Sequence, residues 1–144
     1  MTLITIAGQP IETLETACPW PGMVTSVCQL SNSALSESEC LEPSALGNLT
    51  SAKRKRMFLA GRRAAHTALR RLRPSESPLP ILRGDSGEPV WPDGFLGSIA
   101  HSESLAAAAV LECREPVVGI GLDLEPATRR SRHSIRERIC LSDE

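Results

Sequence analysis

The chain has 144 residues, 41% of them hydrophobic and 23% charged, which is about one domain with enough apolar material for a packed core. Aromatics make up only 3% (Trp20, Phe58, Trp91, Phe95, no Tyr), so the core must rest on Leu, Val, Ile and Ala, and stacking platforms for single-stranded nucleic acid are argued against. A formal net charge of −1 removes the case for a globally basic nucleic-acid binder.

In chain order, short β-like runs at Leu3 to Ile6 and Met23 to Leu30 are separated by the breakers Gly8, Pro10, Pro19, Pro21 and Gly22. A loop rich in Ser, Glu and Asn follows to about residue 50. From Ser51, an N-cap candidate, to about Leu72 the pattern predicts a helix: Phe58, Gly61, Ala65, Leu69 and Leu72 recur at helical spacing and define one buried face. Residues 1–52 hold no Lys or Arg, whereas Lys53 to Arg73 hold nine of the 16 basic residues and no acidic one. Within that segment Arg56, Arg63 and Arg70 repeat every seven residues, away from the apolar face. Such a helix either presents guanidinium forks to an anion or is an ordinary solvated face.

Beyond Pro74, Asp85-Ser86-Gly87 is a turn signal, and Asp93-Gly94 between Val90-Trp91 and Phe95 to Ile99 reads as a hairpin. Leu105 to Leu111 is apolar enough for a strand buried on both faces, although its alanines also suit a helix. Val117 to Glu125 alternates, with Val118, Ile120, Leu122 and Leu124 on one face. Asp123 and Glu125 then share the other face, their Cα atoms roughly 6.5–7 Å apart, a spacing at which two carboxylates can point at one Mg²⁺. By spacing alone, a solvated strand end before Pro126 is the commoner arrangement. Gly119 and Gly121 lack the third glycine and the helix of a dinucleotide fingerprint, and are read as points of close backbone or ligand approach. The stretch from Ala127 reads as a helix start. His101, after a predicted strand, can donate to a phosphate or be a loop histidine without a role, while His66 and His133 are expected on helix surfaces.

Five cysteines (Cys18, Cys28, Cys40, Cys113, Cys140) show no metal-ligand spacing and are expected to be free thiols. No basic leader or membrane-length apolar run is present, and a cytoplasmic protein with no membrane partner is expected.

The segments RMFLAGRRAAHTAL (56–69), GEPVWPDGFLGSIAHS (87–102), AAAAV (106–110) and GIGLDLEP (119–126), in this order, resemble the 4'-phosphopantetheinyl transferases, specifically the large subclass serving siderophore (enterobactin among them) and other nonribosomal peptide synthetases. The likeness is good over 51–126 and loose over 1–50. It implies an α+β fold, mostly antiparallel sheet packed against a long basic helix, forming across 1–144 the first half of a pseudo-dimer. It implies transfer of the phosphopantetheine arm of coenzyme A to a serine of an apo acyl, peptidyl or aryl carrier protein, with release of adenosine 3',5'-bisphosphate. Asp123 and Glu125 match the family's catalytic Mg²⁺ ligands. His101, Arg62 and, in the same helix, Arg56 match the coenzyme-binding region that contacts the phosphates. Ala100 departs from the Ser that usually precedes the His. The second half, with its K-E-A segment and catalytic lysine, is not in these 144 residues, so a truncated, poorly active chain is expected. The alternative is a non-catalytic module that binds coenzyme A or a carrier protein.

Overall fold

The computed structural model describes residues 21–31 and 36–124. In chain order they form β1 (Met23–Gln29), a 3-10 turn (Glu37–Glu39), α1 (Pro43–Gly47), α2 (Ala52–Leu72), β2 (Leu82–Arg83), β3 (Pro89–Val90), β4 (Phe95–His101) and β5 (Leu105–Glu112). The sheet is antiparallel in the order β1-β5-β4, with Val27 opposite Ala107 and Ile99 opposite Ala108, and α2 lies across one of its faces. This is an α+β arrangement, as expected. Among the described residues no helix is long and apolar enough to cross a membrane.

α2 starts where Ser51 Oγ accepts the Arg54 N–H at 3.5 Å, which satisfies one of the orphan amides of the first turn. Arg70 and Arg71 in the last turn oppose the negative end of the helix dipole. Arg56, Arg63 and Arg70 are exposed, as their heptad spacing predicts. The buried face is wider than the predicted stripe: Leu59, Ala60, Gly61, Arg62, Ala64, Ala65 and Ala68 are all buried, with Phe58, Leu69 and Leu72 half-buried at its margins.

β5 resolves the strand-or-helix ambiguity of its alanine run in favour of a strand. Paired on both edges, and buried from Ala106 to Leu111, it has every backbone position enclosed by partners, and this outweighs the helix preference of alanine. Small side chains are what the position under α2 requires. Ala106 and Ala108 of β5 meet Ala60, Ala64 and Ala65 of α2 in one buried cluster with Cys28 and Ile81.

Several expectations are corrected. The polar loop before residue 50 contains the 3-10 turn and α1. Asp93-Gly94 is a turn, with Gly94 at φ +84 and the Phe95 N–H bonded to Pro92 O at 3.1 Å, but it does not join a hairpin. β3 pairs with β2 around the Asp85-Ser86-Gly87 turn, and β4 pairs with β5. Trp91, between β3 and this turn, sets its indole against Gly97 of β4, where a Cβ would collide with the ring. Val117–Leu124 forms no strand. It runs by the open side of β4 and is joined to it by one bond from Leu122 N–H to Ser98 Oγ at 3.1 Å, while Val118 is 96% exposed. Nothing described lies within 4 Å of a Cβ built on Gly119 or Gly121, so neither glycine marks a close approach here; two residues with maximal backbone entropy instead disfavour an extended run. The β-like run at Leu3 to Ile6 and the helix start from Ala127, with His133, lie outside the described residues.

Gly97→Ala should displace the Trp91 ring, and the expected cost is about 1–3 kcal/mol by overpacking. A lower urea midpoint and a shifted indole emission would record it; an unchanged midpoint would mean that Trp91 does not need this glycine.

Candidate coenzyme-binding site

His101 closes β4 on the face toward α2. Its ring lies against Gly61: a Cβ there would stand 2.7 Å from Nε2 and 3.0 Å from Ile99 Cγ2, so only glycine lets the ring in. The Nε2–H donates to the Met57 carbonyl at 2.9 Å, one helical turn before Gly61. Burial lowers the His101 pKa, the Met57 bond opposes the shift, and the charge of Arg62 adds to the lowering. The imidazole is therefore neutral at physiological pH.

Arg62 follows Gly61 and is only 7% exposed. Its guanidinium stacks on Phe58 at 4.7 Å from the ring centroid and donates through Nη2 to Leu82 O at 3.2 Å, while the buried Nε–H has no partner among the described residues. Burial pulls the Arg62 pKa down; Glu42 and Cys40 pull it back up and Arg83 lowers it further. The group stays charged at neutral pH in any case. Arg56, six residues earlier, is exposed and sits roughly 120° around the helix from Arg62. The predicted site residues thus divide: His101 packs on Gly61 beside the buried Arg62, whose guanidinium turns to Phe58 and Leu82, and Arg56 is exposed on another side of the helix.

Glu42, His66 and Cys40 complete the surroundings. Glu42, 4% exposed, accepts the Ile81 N–H at 2.7 Å and His66 Nε2–H at 2.8 Å, both on Oε1, and the Cys40 thiol at 3.6 Å on Oε2. Burial pushes the Glu42 carboxyl up, but the His66 and Ile81 hydrogen bonds and the charges of His66 and Arg62 outweigh it and hold it below its ordinary value. His66 is therefore no idle surface residue. It stands four residues after Arg62, on the same side of α2, and this spacing was the available signal. Glu42 gave none, because it lies in an aperiodic polar stretch. Arg62, His66, Cys40 and Glu42 line a groove of about 400 Å³ whose other walls include Leu59, Arg70 and Pro78.

Asp123 is exposed, and its Oδ1 accepts the Leu124 N–H at 2.9 Å. Glu125 lies outside the described residues. Among the described residues no three His, Cys, Asp or Glu side chains gather to hold a metal ion. A single exposed carboxylate with its second oxygen uncommitted in any described hydrogen bond fits a hard cation that takes most of its ligands from water and phosphate.

Residues 42–111 match the family model of the 4'-phosphopantetheinyl transferase N-terminal domain. The chain is 44% identical over 75 residues to the 4'-phosphopantetheinyl transferase PptT of Mycobacterium tuberculosis, a match covering 52% of this chain and 32% of that protein. It is 40% identical over 74 residues to the 4'-phosphopantetheinyl transferase Npt of Nocardia iowensis, covering 51% and 32%. It is 40% identical over 91 residues to the enterobactin synthase component D of Salmonella austin, covering 63% and 34%. The matches thus span about a third of the length of these curated relatives.

Because folding lowers the Glu42 pKa, its contribution to stability is complete above the ordinary value of 4.5 and is lost as pH falls through the depressed folded value. Urea midpoints measured from about pH 7 down to about pH 3 should therefore fall less steeply for Glu42→Gln than for the wild type, with the variant less stable at neutral pH. Parallel curves would remove Glu42 from the acid limb.

Proposed function

We propose that the chain, whose residues 42–111 match the 4'-phosphopantetheinyl transferase N-terminal domain, is the coenzyme-binding part of an enzyme moving the phosphopantetheine arm of coenzyme A to a serine of an apo carrier protein. The observation that carries this reading is the packing of His101 of β4 on Gly61 of α2, beside the buried Arg62, because it brings two elements of the matched segment together at two of the predicted site residues.

In this reading a largely buried guanidinium with an unpartnered Nε–H, at the wall of a groove of about 400 Å³, receives the 3'-phosphate. A charged donor that is already desolvated loses little further hydration when an anion arrives. His101, held neutral and with Nε2 fixed on Met57 O, packs α2 against β4 beside Arg62 and would reach the phosphates from there. Arg56, exposed on the neighbouring side of α2, adds attraction for the phosphates at longer range.

The reaction forms a bond from the serine oxygen to the phosphorus next to pantetheine and breaks the bond from that phosphorus to the bridging oxygen. The hydroxyl proton is lost, and adenosine 3',5'-bisphosphate leaves. Asp123 and Glu125 would hold Mg²⁺, which when bound supplies charge stabilisation at the pyrophosphate. The match to enterobactin synthase component D supports a carrier protein of siderophore or related nonribosomal peptide synthesis as acceptor.

Calorimetry should show the chain binding coenzyme A more tightly than dephospho-coenzyme A. Absence of coenzyme A binding up to about 1 mM, a threshold near −4 kcal/mol, would overturn the reading. Asp123→Ala should abolish the increment in coenzyme A affinity that Mg²⁺ provides while leaving metal-free affinity unchanged; an increment that survives would remove Asp123 from the ion. Mixed with Mg²⁺, coenzyme A and an apo carrier protein, the 144 residues alone should add little phosphopantetheine mass to the carrier, since no lysine of a K-E-A segment is present to assist the serine. Mass addition at rates typical of an enzyme would show these residues to be a complete catalytic set.

A further inference from the structure

Arg62 is held from two directions, and both holds lead to Glu42. On the strand side, Glu42 Oε1 takes the Ile81 N–H at 2.7 Å, and the next residue, Leu82, offers the carbonyl to which Arg62 Nη2 donates at 3.2 Å. On the helix side, the same Oε1 takes His66 Nε2–H at 2.8 Å from the turn of α2 that follows Arg62. Ile81 is fully buried and Glu42 nearly so, so the carboxylate sits inside the molecule, between the helix that carries Arg62 and the segment that receives it. Glu42 is itself fixed by chain geometry, immediately before Pro43 opens α1.

Fixing an amide next to Leu82 fixes where that carbonyl points. One bond from Nη2, together with the Phe58 stack, leaves the guanidinium plane defined and its Nε–H unpartnered. Without Glu42 the Ile81 amide would be buried without a partner, β2 would have to shift to solvate it, and the Leu82 carbonyl would move with it. The negative charge of Glu42 also offsets part of the cost of burying Arg62.

We propose that Glu42 is a positioning residue: through Ile81 and His66 it sets the orientation in which Arg62 meets the anionic group of its ligand. The inference rests on the coenzyme A reading above and adds to it a residue that acts through Arg62.

The test compares coenzyme A with dephospho-coenzyme A by calorimetry on the wild type, Glu42→Gln, Arg62→Lys and the double variant. Glu42→Gln keeps the size of the side chain and an oxygen for the Ile81 amide but removes the charge. The expected result is that Glu42→Gln lowers the preference for coenzyme A over dephospho-coenzyme A about fivefold or more, with dephospho-coenzyme A affinity unchanged, and that the two substitutions are not additive. Additive losses, or a preference left at the wild-type value in a folded Glu42→Gln protein, would overturn the proposal. Equal weakening toward both ligands would also overturn it, because that is what a merely structural role produces. If Glu42→Gln does not fold, His66→Gln, which removes only the helix-side hold, carries the same comparison with the same outcomes. A wild type that binds coenzyme A without preferring it to dephospho-coenzyme A fails the Arg62 assignment instead, so the two failures are distinguishable.

Discussion

The close approach of α2 to the sheet is the constraint on which the other features depend. It is made possible by a seam of very small residues, with Ala60, Ala64 and Ala65 on the helix packed with Ala106 and Ala108 of the central strand, and Gly61 against Ile99 and His101 of β4. Each alanine buries little apolar area, and at about 0.8 kcal/mol per buried methylene the seam stabilises the domain less than leucines would. Larger side chains would hold the helix away from the sheet, and the His101 ring would then lose both Gly61 and the Met57 carbonyl. At this seam, the geometry of the site is favoured over the depth of the core.

The polar half of the site follows from the same constraint. A helix lying this close to its sheet leaves Arg62 almost no solvent, so its charge has to be accommodated by the protein: the Phe58 ring, the Leu82 carbonyl and the nearby Glu42 carboxylate do so. Burying two opposite charges rarely adds net stability, since the desolvation of both is of the same order as their attraction. Such an arrangement is better understood as orientation than as a stabilising contact. The unpartnered Nε–H points the same way, because a donor left unpaired in the interior costs about 1–3 kcal/mol unless something pairs with it.

Much of this was legible in the sequence, and what was not has identifiable causes. α2, its Ser51 cap and its exposed arginine heptad follow from periodicity and capping chemistry, which are local. β1 and β5 follow from apolar runs, and Arg62 and His101 are singled out as site residues by the family resemblance alone. The Val117–Glu125 strand was misread because alternation reports which faces are compatible with burial and says nothing of whether a neighbour exists to bury them; Val118 has none among the described residues. The Asp93-Gly94 hairpin fails for a related reason: a turn sequence fixes a reversal of direction and not the partner, and here β3 pairs with β2 while β4 pairs with β5. Glu42 was invisible because its role is set by residues 24 and 39 positions away, His66 and Ile81, and no local pattern encodes such a meeting.

The two charge-bearing parts of the site are held with unequal firmness. Arg62 and His101 sit on a helix and a strand whose backbones are paired and whose side chains are fixed by named partners. Asp123 sits on an irregular segment attached to β4 through one backbone-to-side-chain bond, with exposed residues on either side of that attachment. Segments with few buried contacts and exposed backbone bonds open at a small fraction of the global unfolding free energy. In the proposed function, anion binding at Arg62 would need no ordering of the segment that carries Asp123, whereas a cation shared between Asp123 and a phosphate would also have to fix that segment, at a cost to its binding free energy. A phosphate already seated on the rigid arginine side reduces that cost, because it presents the cation with ligands in place before the carboxylate has to be immobilised. On this argument the rigid and the loosely held halves are coupled through the ligand itself, without any direct contact between Arg62 and Asp123.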